Sequence, residues 1–526
     1  MKRVSSVILS MALLLSCTAC GNGGNGGTSN STADGTVNSK AAIETLSNGD
    51  DNIRDTLTIA ISSEPGTIAP YSHDLTNAFL IVTNTFETLI KKDEDGNFQP
   101  CLATEWNWLD DLTVQFKLRD DVYFHDGNKM TAEDVAYSLG KMSISSFTKN
   151  FFGRLDTDKT EIVDEYTITI HLTEPYAPFE ECLASPRGAI ISKASYEKLG
   201  EEGFGRAPIG TGPMKFDNWV TGDHLEFSRF DGYWGEPMKF NRFVARIIVE
   251  GSSRTMELET GGVDIAFDIP ISDRDRIANG KATNLISGQA MRFEYVMLNN
   301  DFDINKDIRV RKAMAYSINA DALVKTVWKG TATVADSFIP PMILGHKAVG
   351  PYPYNPEESR KLLAEAGYPD GFEFDFITWE NSYNGQVAEV LQSMWAEVGI
   401  KANVQVVDLA THASMNNAGE FRVTHTGTTA AIADPEAALM IWPLWRTISL
   451  RHNDQKIQDY LNRGVVTYDT AERVTIYGEM MDYCFEQCYV IPLAFLDSAY
   501  GVRSDVLNMT FSPDNIPDFT VINFAD

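Results

Sequence analysis

Cysteine is scarce: there are six in 526 residues, two of them within the first twenty. The other four, Cys101, Cys182, Cys484 and Cys488, are too few to staple a chain of this size, and a core this large does not need staples. Cys484 and Cys488 stand four apart in a helical stretch, a spacing that suits two buried thiols better than a metal site or a bridge. Positive charge is also short, with 44 Lys and Arg against 73 Asp and Glu and a net charge of −29. That balance excludes a nucleic-acid binder and an electrostatic clamp on anionic lipid. Past the first twenty residues no apolar run approaches the roughly 20 residues that cross a bilayer. The eight histidines form neither His-x-x-x-His nor His-x-His, and there is no Gly-x-Ser-x-Gly elbow and no His-Glu-x-x-His helix. Internal repeats, which would mark a solenoid scaffold, are missing.

The amino terminus has a basic start at Lys2 and Arg3, an apolar run from Val7 to Leu15, then small residues and cysteine. This is a secretory signal, too short for a membrane span. Gly21 to Gly35 is mostly Gly, Asn, Ser and Thr, a flexible tether. Together they resemble a bacterial lipoprotein signal, with Cys20 expected to carry the lipid and Cys17 as the alternative. Two or more acyl chains there would hold the chain stably on a membrane, which leaves the folded part extracytoplasmic. The ~500 remaining residues exceed one core and predict two or three domains.

Leu57, Ile59 and Ile61 alternate with polar or small residues and predict a first strand. A helix is predicted from about Asn77 to Ile90. Val114, Phe116 and Leu118 alternate with Gln115, Lys117 and Arg119, and Tyr166, Ile168, Ile170 and Leu172 repeat the pattern, so this region is a partly antiparallel sheet with one solvated face. Between them Thr131 precedes Asp134 by three, a capping-box spacing that opens a helix. Pro208 to Pro213 lacks the end of a P-loop and reads as a rigid turn between domains. After Asn299 helices become frequent. Phe372, Phe374 and Phe376, a helix from about Gln386 to Val398, then Ala402, Val404 and Val406 make a βαβ unit, so this half is α/β. Phe293 to Leu298 predicts a central strand, and a late helix to Cys488 leads to a return strand at Val490 to Leu493.

Several segments in fixed order resemble one family, the solute-binding proteins of peptide and nickel ABC importers. They include Glu64-Pro65, Phe86-Glu87-Thr88-Leu89, Phe116-Lys117-Leu118-Arg119, Phe124-His125-Asp126-Gly127, Thr131-Ala132-Glu133-Asp134-Val135, Gly210-Thr211-Gly212-Pro213, Tyr233-Trp234-Gly235, Arg309-Val310-Arg311-Lys312-Ala313 and Leu362 to Tyr368. The resemblance covers nearly the whole mature chain. It implies a two-lobed periplasmic-binding-protein-like α/β fold (type II, cluster C) with an extra subdomain in lobe I. The implied division is a signal at 1–20, a linker at 21–54, lobe I at 55–84, 207–299 and 490–526, the subdomain at 85–206, and lobe II at 300–489. Ligand would close the lobes by differential binding, and the closed form would be presented to permease subunits. No cofactor is implied, and a monomer is expected.

The stretch from Arg422 to Trp445, RVTHTGTTAAIADPEAALMIWPLW, is where ligand contact is expected. Its run from Gly427 to Ala433 has almost no side-chain bulk, which suits close approach by another molecule or an ordinary loop before a helix. The resemblance places Glu64 on the cleft wall of lobe I, and His425, Thr428 and Thr429 facing the cleft. It also implies an Asp four residues before the proline of the Asp-Pro turn, paired with the ligand's α-amino group; that position here is Ala431. A buried ammonium without its carboxylate is costly, so free-amino peptides held in that pose are not expected. Asp434 reads as a turn former, with substitution for the missing carboxylate as the alternative. Trp379, Trp442 and Trp445 are candidate stacking surfaces. His425 as a nickel ligand has no second histidine beside it. The chain is expected to bind a peptide or peptide-like solute without turning it over. An oligosaccharide or a metal chelate is the alternative ligand, and a secreted carboxylate-dependent hydrolase is the alternative class.

Overall fold

The computed structural model describes residues 54–73, 75–93, 96–441 and 454–525, the side chains of 440 and 441 excepted. Cys17, Cys20, the tether, Trp442 and Trp445 lie outside the described residues.

Strand β1 (Arg54–Ile61) buries Leu57, Ile59 and Ile61, as the alternation predicts. The antiparallel hairpin β2 (Met214–Val220) and β3 (His224–Arg229) continues onto β4 (Phe240–Ile247), which pairs in parallel with β1. On its other edge β1 pairs in parallel with the short β5 (Ile265–Ala266). Beyond β5 run two long antiparallel strands, β6 (Thr283–Leu298) and, late in the chain, β10 (Val490–Arg503). The βαβ unit appears as parallel β7 (Glu373–Trp379) and β8 (Lys401–Val407), with β9 (Val423–Thr429) parallel to β7 and antiparallel to β6. The order along the sheet is β8-β7-β9-β6-β10-β5-β1-β4-β3-β2, with Ala332–Val334 added beside β10.

One end of each long strand serves each half of the sheet. Residues 283–289 of β6 pair with 497–503 of β10, whose Val502 faces Ile265 of β5, whereas 293–297 pair with 490–495 and border β9. Between Gln289↔Asp497 and Phe293↔Phe495 the register slips, β6 using four residues where β10 uses two. A bulge of this kind bends the strands and increases their twist. The two halves therefore meet at a kink in paired backbone, a hinge-like junction.

A separate four-stranded antiparallel sheet takes Ala103–Asp110, Thr113–Leu118, Thr167–His171 and Glu161–Asp164. Val114, Phe116, Ile168 and Ile170 are fully buried on one face. Helix α2 (Ala132–Ile144) covers this sheet and opens with the reciprocal capping box between Thr131 and Asp134 that the spacing predicts. Its Val135, Leu139 and Met142 form the buried stripe. The core of this region is continuous with Ile457, Tyr460 and Leu461 of α4 (Gln455–Val466) and Ile476, Tyr477 and Met480 of α5 (Thr470–Gln487). Two further cores lie on the β1 and β7 halves, the second packed by α3 (Asn384–Ala396), whose Leu391 and Trp395 are buried.

Helix α1 (Thr76–Thr85) stops five residues before the predicted end. The chain turns extended at Phe86 because the next residue, Glu87, is drawn to Trp234 Nε1 and Tyr233 OH, both 2.9 Å away. The predicted central strand at Phe293 proves to be the second half of β6. Its first half carries Ser287, Gly288 and Gln289, which offer no period, and it is held by β10 instead. The Pro208 to Pro213 turn lies against α1. A Cβ on Gly210 would stand 1.9 Å from the Thr85 carbonyl, and His125 bonds the Gly212 carbonyl at 2.8 Å. Cys101, Cys182, Cys484 and Cys488 are all free and buried. Among the described residues no helix is long and apolar enough to cross a membrane.

Candidate functional site

Parallel β1 and β5 end side by side at Ile61 and Ala266, and the residues just past them open onto a cavity of about 240 Å³. Ser63, Asp268, Thr76 and Asn77 at the start of α1, Tyr500 of β10 and Asn515 are among its lining residues. In open α/β sheets ligands bind outside the carboxyl ends of strands, which is where this cavity lies.

The pairing of β7 with β9 ends at Ile377↔Thr424; Trp379 closes β7, and β9 runs on to Thr428 and Thr429, followed by Ala430 and Ala431. None of these residues is among those lining the cavity; two backbone hydrogen bonds at the kink of β6 link Ala430 to its far side. The Ala430 amide donates to the Met291 carbonyl (2.8 Å), the Met291 amide donates to the Pro513 carbonyl (2.9 Å), and Asn515 lies two residues further on.

The predicted contact residues separate into two groups. Trp379 is half-buried at the end of β7, and its carbonyl accepts from Asn384 Nδ2 at 3.0 Å. Thr428 is buried with no partner for Oγ1 among the described residues, and Thr429 Oγ1 accepts from Arg292 at 3.4 Å. Ala431 is half-buried, and its carbonyl accepts from Arg187 Nη1 at 3.2 Å. The Arg187 guanidinium lies over the rings of Phe79 and Phe151, 4.6 and 5.2 Å from their centroids. Glu64 is half-buried but outside the cavity lining: its carboxylate accepts from Trp219 Nε1 (2.8 Å) and the Gly222 amide (3.1 Å), which fixes the tip of the β2–β3 hairpin.

Two of the predicted contact residues are engaged by other side chains of the protein. His425 is fully buried rather than facing the cleft: its Nδ1 is 3.1 Å from Thr378 Oγ1, and its Nε2 is 3.3 Å from Glu294 Oε2. Asp434 is not a substitute amino-group anchor, because both its oxygens receive Arg473 in a buried fork at 2.9 Å each. Asp434 also accepts from the Glu436 amide at 2.9 Å, so it is the turn former the sequence suggests. Burial opposes the charge on Arg473, but Asp434 outweighs it and raises the guanidinium above its usual range.

Sequence reasoning missed the buried charges behind β9. Glu294 has no exposure, and its Oε1 receives Arg292 Nε (2.8 Å) and Nη2 (2.7 Å) and the Tyr383 hydroxyl (3.0 Å). Burial pushes its carboxyl up, yet the Arg292 charge, aided by His425 and Tyr383, pulls it down to about 2. The available signal was the pair Arg292 and Glu294 flanking Phe293 in the otherwise apolar run from Ala290 to Leu298.

The profile of the bacterial extracellular solute-binding proteins, family 5, matches residues 97–446. The glutathione-binding protein GsiB of Escherichia coli O1:K1 / APEC is 31% identical over 451 residues, covering 83% of this chain and 88% of that protein. Its counterpart in Salmonella paratyphi A is 30% identical over 450 residues, with the same shares covered. Among solved structures, HbpA2 of Haemophilus parasuis superposes with a TM-score of 0.79 at 25% identity over 90% of this chain and all of that one. DppA of Helicobacter pylori, in complex with the peptide STSA, superposes with a TM-score of 0.76 at 23% identity over 90% and 98%. These relatives are solute-binding proteins, and the solved structures share the two-lobed fold. The chain belongs to family 5 of the bacterial extracellular solute-binding proteins and is the substrate-binding component of an ABC importer.

Proposed function

We propose that this protein captures a short peptide or peptide-like solute, of which glutathione is the first to test, and hands it to a membrane permease. The observation that carries this reading is the cavity beside Asp268 at the carboxyl ends of β1 and β5, linked through two backbone hydrogen bonds at Met291 to Ala430 just past the end of β9. Its volume of about 240 Å³ is below the roughly 300–1,000 Å³ of ordinary small-molecule sites, which favours a compact ligand over a long peptide. The relatives at 30–31% identity are named for a modified tripeptide, in keeping with that size.

Residues 55–84, 207–299 and 490–526 form lobe I in this reading, 85–206 its subdomain and 300–489 lobe II, and the kink in β6 and β10 is the hinge. A lipid on Cys20, or on Cys17, keeps the monomeric protein on the outer face of the membrane beside its permease. The test is calorimetric titration of the purified protein with glutathione, a tripeptide pool, an oligosaccharide pool and a nickel–histidine chelate, with native mass spectrometry of what co-purifies. Micromolar or tighter binding of glutathione or the tripeptides supports the reading; binding of only the sugars or the chelate overturns it.

A further inference from the structure

Five non-glycine residues with positive φ occur among the described residues, and two of them, Asp268 (φ 53°) and Asn515 (φ 62°), line the same small cavity. Side chains with a Cβ disfavour this backbone region, and such conformations persist where their surroundings over-determine them. At Asp268 that determination is visible. The buried Arg254 donates Nη2 to the Asp268 carbonyl (2.9 Å), Nε to that of Phe267 (3.0 Å) and Nη1 to those of Ile248 and Val249 (2.8 Å each). The arginine is thus spent on carbonyls behind the strand end.

The side chain of Asp268 is aimed by a relay. Asn77 Nδ2 donates to Ser62 Oγ (3.1 Å), which donates to Asp268 Oδ2 (2.6 Å). Asp268 is exposed and its Oδ1 has no hydrogen bond among the described residues, while Oδ1 of the half-buried Asn515 is enclosed with no partner. None of the described residues lining the cavity is Lys, Arg or His, and Phe267 and Tyr500 are almost wholly buried, their ring centroids 5.3 Å apart. Two acceptor oxygens without donors, in a lining that carries no cation, suit a cationic ligand group.

We propose that this cavity holds a cationic nitrogen of the ligand, the α-ammonium of a peptide, between the Asp268 carboxylate and the Asn515 side-chain carbonyl. The charge anchor missing at Ala431 is then supplied from the other half of the sheet. The inference rests on the peptide reading above and names which end of the peptide enters the cavity.

The test uses the full-length protein and its Asp268→Asn variant, since Asn tolerates the left-handed backbone. Asn515→Gly, which also keeps that backbone, gives a second readout that does not depend on the first variant folding. Each is titrated with a pool of free-amino tripeptides, the same pool N-acetylated, and millimolar ethylammonium. Wild type is expected to prefer the free-amino pool by about 30-fold or more, and Asp268→Asn to lose most of that preference. Equal binding of both pools by wild type, or an unchanged preference in both variants, overturns the anchor and leaves peptide binding standing. If neither pool binds but ethylammonium raises the melting temperature of wild type and not of Asp268→Asn, the anchor stands and the peptide reading falls. If no probe binds, both fall.

Discussion

Gly427 faces Glu294 across the β6–β9 pairing so closely that a Cβ on Gly427 would stand 2.2 Å from the carboxylate oxygen Oε1. The bareness of the backbone at this point therefore serves a side chain of the same protein. The carboxylate cannot retreat, being held by Arg292 and Tyr383. Gly427→Ala is expected to lower unfolding stability by about 1–3 kcal/mol, the usual cost of overpacking. Denaturant titration measures this, with Gly140→Ala as the control. Gly140 lies inside α2, and a Cβ there meets nothing within 4 Å, so that change should be neutral or stabilising by up to about 1 kcal/mol.

The Asp434–Arg473 pair should show a strong non-additivity. Both side chains are almost wholly buried, at 3% and 6% exposure, so removing either partner leaves the other charged and enclosed. Asp434→Ala or Arg473→Met alone is expected to cost about 3–5 kcal/mol, while the double substitution should recover most of the loss. A double-mutant cycle by chemical denaturation measures the coupling. Additive single effects would show that the pair is not a closed unit.

Glu87 gives the fold a pH dependence in the neutral range. Burial raises its carboxyl to about 7, against the bonds from Trp234 and Tyr233 and the charge of Lys91, which lower it. The folded state therefore holds this proton more firmly than the unfolded state does. The resulting stability is fully present below the unfolded value of 4.5 and is lost as pH rises through about 7. Glu87→Gln keeps a carbonyl acceptor for Trp234, turns an amide N–H toward the Tyr233 hydroxyl oxygen, and removes the titration. Compared at pH 5 and pH 8, wild type should lose on the order of 2 kcal/mol more than the variant. Parallel stability curves across that range would contradict the assignment.

Local patterns were legible where one period dominated. The capping box at Thr131 and the alternation at Val114 and Phe116 each follow from neighbouring residues, and the structure shows both. Strand β9 was a different case. His425, Gly427 and Thr429 share one face of it, and Thr424, Thr426 and Thr428 the other. Polar or small residues stand on both faces, so no hydrophobic pattern fixes which side meets the core. That parity is set by partners far off in the chain, Glu294 on β6 and Thr378 on β7, and it turned His425 inward. Asp434 was ambiguous for the same reason, because Arg473 is 39 positions away. The cavity beside Asp268 left no mark in the sequence, since β1, β10 and the 512–516 turn converge there only through the sheet order.

Tyr468, between α4 and α5, ties these helices to the region of the four-stranded sheet. Its hydroxyl donates to the Asp111 carbonyl (2.6 Å) and accepts the Tyr176 amide (3.2 Å), and its ring meets Trp108 edge-on with centroids 5.6 Å apart. Under the lobe division proposed above, α4 and α5 move with the β7 half and the four-stranded sheet with the β1 half, so the hydroxyl bonds add to the closed state alone. Two such bonds are each worth about 0.5–1.5 kcal/mol, and removing them with Tyr468→Phe leaves the ring packing in place. The expected result is a ligand affinity weaker by roughly 5- to 50-fold, with the loss in the dissociation rate and the unliganded melting temperature nearly unchanged. Stopped-flow binding and thermal unfolding measure the two quantities on the same sample. An equal loss in stability without ligand would mean that Tyr468 supports the fold and not its closure.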